Sequence, residues 1–92
     1  MIDFDKLITR ATAEREVLIH RIADLGATVG EMKQVRAALL AENHLDGGEL
    51  AIQRINEKLH NARRVLNAWN RRRENLDYML AYIAEDTEGG TE

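Results

Sequence analysis

Near the centre of the 92-residue chain, His44-Leu45-Asp46-Gly47-Gly48-Glu49 is the one break in a text that otherwise reads as helix. Gly reaches positive φ without steric cost, and Asp or Gly can cap a helix start, so Asp46-Gly47-Gly48 is turn chemistry. Proline is absent, which leaves both flanking arms free to run as long helices. A turn between two uninterrupted arms of nearly equal length constrains the chain to an αα-hairpin.

Each arm carries its own seam. Phe4, Ile8, Ala11, Arg15, Leu18, Ile22, Leu25, Val29, Met32, Arg36, Leu39 and Asn43 alternate steps of four and three, and nine of these twelve are apolar. Ile52, Ile55, Leu59, Ala62, Leu66, Trp69, Arg73, Leu76, Leu80 and Ile83 repeat the alternation with nine of ten apolar. That spacing is a heptad seam. The expected architecture is all-α: an antiparallel, coiled-coil-like two-helix hairpin that self-associates into a helical bundle. Residues 1–86 form one domain, with arms at about 4–44 and 48–85 and a turn at 45–48. Residues 87–92 are expected to be a disordered acidic tail.

Folding the arms at Gly47-Gly48 places opposed residues at numbers totalling 94 or 95. Leu25 then faces Trp69, Leu18 faces Leu76, Ala11 faces Ile83, Met32 faces Ala62, Val29 faces Leu66, and Arg15 faces Leu80. Asp3 or Asp5 is the expected cap of the first arm, and Asp46 or Gly48 of the second. Arg15 and Arg36 are expected to lie along the seam on their aliphatic stems. Gly26 and Gly30 each cost roughly 1 kcal/mol against Ala in a helix interior. Close approach of another backbone, or room for the Trp69 indole, would compensate.

One stripe per helix is a thin core. Leu7, Ile19, Val35, Leu40, Val65, Tyr78, Met79 and Tyr82 fall off the seam, and so much apolar surface calls for a partner. Two hairpins forming a four-helix bundle is the simplest answer, with a higher closed oligomer or a different protein as the others.

Chemistry is sparse. The chain has no Cys and no Ser, and its three histidines, His20, His44 and His60, fall far apart in the hairpin. No metal spacing, nucleotide loop or nucleophile–base pair emerges, so neither an enzyme nor a cofactor is expected. No apolar run approaches the length of a membrane span, and the acidic start lacks signal-peptide order, so the expected location is the cytoplasm.

The net charge of −3 conceals a segregation. Residues 54–73 hold Arg54, Lys58, Arg63, Arg64, Arg71, Arg72 and Arg73 against Glu57 alone, and residues 74–92 hold six acidic side chains and no basic one. Arg63, Arg64, Arg71, Arg72 and Arg73 bracket Trp69 and are the candidate ligand-binding residues, because guanidinium forks bind phosphates bidentately. A nucleotide or nucleic acid is the ligand this belt would take. Carboxylates of another subunit are the competing partner, and the core is the competing place for Trp69.

Two resemblances attach to particular residues. Tyr82-Ile-Ala-Glu-Asp86 has the Y-x-x-x-D spacing of the small secreted helical-hairpin (WXG-type) proteins, whereas the turn at His44 to Glu49 has no Trp-x-Gly. Leu18-Ile19-His20-Arg21-Ile22-Ala23-Asp24-Leu25-Gly26 and Leu50-Ala51-Ile52-Gln53-Arg54 resemble stretches of the bacteriophage anti-CBASS type 2 proteins. That likeness covers about fifteen residues. It implies a small, phage-encoded, oligomeric anti-defence sponge that sequesters cyclic oligonucleotide signals. The family's ligand-contacting Tyr and Lys would fall at Ile8 and Ala23, so a phosphate site here would have to use the second-arm arginines.

Overall fold

The computed structural model describes residues 3–42 and 48–89, with side chains in the last helical turn, 86–89, left undescribed. Two helices, α1 (Phe4–Ala41) and α2 (Gly48–Gly89), pack side by side as a hairpin. The molecule measures 71 × 20 × 14 Å, with a radius of gyration of 20.4 Å. A compact chain of this length would have a radius of gyration of about 12 Å. The hairpin is a rod.

The ends of α1 follow local chemistry. The Asp3 carboxylate accepts from the Lys6 backbone N–H at 3.2 Å, and Asp5 adds negative charge to the first turn. Both effects satisfy the positive end of the helix dipole. At the other end the Glu42 N–H is shared between the carbonyls of Ala38 and Leu39, a tightened last turn. The first arm therefore closes at Ala41, short of 44. The turn expected at 45–48 lies outside the described residues except for Gly48, which is already the first residue of α2.

The second helix runs past the expected stop at 85 and reaches Gly89. Loss of the apolar seam ends packing, but it does not forbid helix. Glu85, Asp86, Thr87 and Glu88 hold no proline, and the first glycine of the tail stands at 89. Of the expected acidic tail, residues 90–92 lie outside the described residues.

Among the described residues the buried apolar side chains, Ala11, Leu18, Val29, Leu59, Ala62, Leu76 and Ile83, all lie on the two seams. They form two clusters along the rod. Ala11, Leu18 and Leu76 gather Ile22, Trp69, Met79 and Leu80 around them. Val29, Leu59 and Ala62 gather Leu25, Met32, Ile55 and Leu66. Trp69 is half-buried against the first cluster, so its indole is core.

The core clusters hold several of the expected pairs: Leu18 with Leu76 in one, Val29 with Leu66 and Met32 with Ala62 in the other. Leu25 and Trp69, expected to face each other, fall in different clusters. The two seam arginines find polar partners across the hairpin: the Arg15 guanidinium bonds to Asp77, and Arg36 Nη1 donates to Asn56 Oδ1 at 3.2 Å.

Gly26 and Gly30 do not serve the hairpin interface. A Cβ built on either would meet nothing within 4 Å. The expected close approach, or room for the indole, is not what these residues provide within one chain.

Candidate functional site

The arginine belt occupies the middle of α2, where consecutive residues rotate by about 100° around the axis. Arg71, Arg72 and Arg73 consequently point in three directions. Arg72 turns toward α1 and grips Glu14 with both arms of its fork, Nε to Oε1 at 2.9 Å and Nη2 to Oε2 at 3.0 Å. The Arg72 hydrogen bond holds the Glu14 carboxyl below its usual range, partly opposed by desolvation and helped by charge attraction. Glu14 raises Arg72 in return. Arg73 lies on the seam and directs Nη1 to Asp77 Oδ2 at 3.5 Å, one helical turn on. Asp77 thus accepts from its own helix and from Arg15 of the other.

The remaining three belt members, Arg63, Arg64 and Arg71, are exposed and have no ion-pair or hydrogen-bond partner among the described residues. The structure splits the five candidate residues accordingly. One clamps the two helices together, one pairs within α2, and three are free for something outside the hairpin. Arg63 flanks the interface on the side of Asn56 and Asp77, and Arg64 and Arg71 stand seven residues apart on the face turned away from α1.

Tyr78 and Tyr82 are the most exposed large apolar side chains described, at 79% and 72%. They continue the line of Arg64 and Arg71 along that outward face. The sequence marks both tyrosines as off the seam; Arg64, Arg71 and Tyr78 share one position of successive heptads, and Tyr82 lies one turn from Tyr78.

Concavities along the rod are shallow and open. One, about 700 Å³, is lined by α2 residues including Ile52, Gln53, Asn56, His60 and Asn61. A second, about 400 Å³, is lined by Asn61, Arg64, Val65 and Ala68. Among the described residues no group of three His, Asp or Glu side chains could hold a metal ion, and no buried side-chain polar atom lacks a partner. No described helix is long and apolar enough to cross a membrane. Comparison with known proteins finds no matching family model, no matching curated protein and no matching solved structure.

Proposed function

We propose that the hairpin is a non-enzymatic helical interaction protein that works by self-association and by presenting its helical faces to a partner. The observation that carries this reading is the balance of apolar surface. Phe4, Val17, Ile19, Val35, Leu40, Leu50, Val65, Tyr78 and Tyr82 are exposed by between 38% and 79%, whereas the core holds seven buried side chains. A rod with so much uncovered apolar surface gains by burying it against another chain. The test is the mass of the untagged protein in solution, by native mass spectrometry and by light scattering across a concentration series. A dimer or higher oligomer agrees with the reading; a monomer at all concentrations refutes self-association.

A second reading rests on a separate observation, the three unpartnered guanidinium groups of Arg63, Arg64 and Arg71. Under it the oligomer is a sponge for nucleotide or nucleic-acid phosphates, the anti-defence role that the bacteriophage anti-CBASS resemblance implies. Phosphate binding weakens steeply as salt rises, whereas an apolar interface persists. Mass matching nucleotides on the protein as purified, lost together with Arg63→Ala, Arg64→Ala and Arg71→Ala, would favour the sponge. Oligomers free of extra mass would refute it.

A further inference from the structure

We infer that the outward face of α2 is a self-complementary surface on which a second copy of this chain docks, antiparallel, α2 against α2. This rests on the self-association reading above and names the surface that carries it. The face turned from α1 has its own three–four alternation: Arg64, Ala68, Arg71, Asn75, Tyr78, Tyr82 and Glu85, all of them exposed. Such alternation is the geometry of a second helix–helix seam. It is unusual in composition, with cations at one end, tyrosines and a carboxylate at the other, and a single small residue between.

Antiparallel alignment about Arg73 places opposed residues at numbers totalling 146, and each opposition is favourable. Tyr78 of one copy lies over Ala68 of the other, the largest side chain of the seam over the smallest. The hollow of about 400 Å³ lined by Asn61, Arg64, Val65 and Ala68 is where that ring would enter. Arg64 lies against Tyr82 of the second copy, a cation on an aromatic face, with Glu85 one turn beyond. Arg71 falls opposite Asn75 and within a residue of Glu74, at the hollow of about 310 Å³ lined by Glu74, Asp77, Tyr78 and Ala81. Twofold symmetry repeats every contact, as a closed dimer requires. The segregation of charge along α2 acquires a use, since its positive half meets the negative half of its copy.

The tyrosines supply the larger part of the area a stable dimer needs. Covering four tyrosines at their present exposure removes on the order of 600 Å² from water. That is more than half of the about 1,000 Å² that marks a stable interface. The two arginines left free by the hairpin on this face are the two that the second copy would satisfy.

The test uses the untagged full chain. Ala68→Glu places a charge in the hollow for Tyr78 while leaving an exposed helix position occupied by a good helix former. The wild type is expected to be dimeric, and A68E to dissociate at least about 100-fold more readily with its helical circular dichroism unchanged. Because the chain has no cysteine, Ala68→Cys and Tyr78→Cys can be made singly and mixed. The mixture is expected to form a disulfide-linked heterodimer faster than either variant alone. A dimeric wild type whose A68E variant stays dimeric overturns this surface and leaves self-association standing. A monomeric wild type overturns both. A wild-type monomer that instead holds a single-stranded oligonucleotide, released by replacing Tyr78 and Tyr82 with Ala, assigns the face to nucleic acid and also overturns the proposal.

Discussion

Gly26 and Gly30 permit a prediction of unusual sign. Glycine in a helix interior costs about 1 kcal/mol against alanine, because the unfolded chain has more freedom to lose and no methyl covers the backbone. That cost is normally hidden where glycine admits a neighbour. Here a methyl placed at either position meets nothing within 4 Å, and both lie well inside α1. Gly26→Ala and Gly30→Ala should therefore stabilise the hairpin by about 1 kcal/mol each, and by about 2 kcal/mol together if they add. For a chain of this size 1 kcal/mol moves the melting temperature by about 4–8 °C. The double variant should then melt about 8–16 °C higher. Thermal melts followed at 222 nm, at several protein concentrations, measure it. An unchanged or lowered melting temperature would refute the reasoning and would mean that something outside the single chain lies against this face.

Two further predictions concern the polar edge. Arg15→Ala and Asp77→Ala should couple by about 0.5–1 kcal/mol in a double-mutant cycle read by urea unfolding; purely additive effects would show that this pair contributes nothing to stability. Glu14, whose folded carboxyl the Arg72 hydrogen bond holds below the ordinary glutamate range, contributes stability that is present above that range and is lost as pH falls through its folded titration. Glu14→Gln should lower stability slightly near neutrality, where the Arg72 fork is formed, and leave it little changed in acid, so that the acid limb flattens; a pH profile identical to the parent's would show that the Arg72 fork contributes nothing.

The fold was legible to the extent that apolar spacing determines it. Each of the seven buried side chains stands on a seam position that periodicity alone identifies, because an apolar stripe in water has one place to go. The partners of Arg15 and Arg36 were not legible, because the periodicity places both arginines on the seam without saying what stands within reach, and only the packed hairpin brings Asp77 and Asn56 to them. The helix end was misjudged for a related reason: packing stops near Ile83, but backbone hydrogen bonding continues until glycine. The candidate site was legible as a charge cluster and not as a geometry. Five arginines near one another in sequence become one interhelical clamp, one local pair and three free cations once the helix rotates them apart.

Two of the polar links between the arms, Arg15 to Asp77 and Arg36 to Asn56, are separated by three heptads on each helix, and the seam repeats heptad by heptad between them. Length is therefore a modular quantity in this molecule. Cutting seven residues from each arm between the links would shorten the rod by about 10 Å and return the same alignment at both ends. Cutting seven from one arm alone would leave one link without its partner. The hairpin behaves as a graduated ruler whose marks are polar, and the distance between whatever it holds at its two ends can be reset in steps of one heptad.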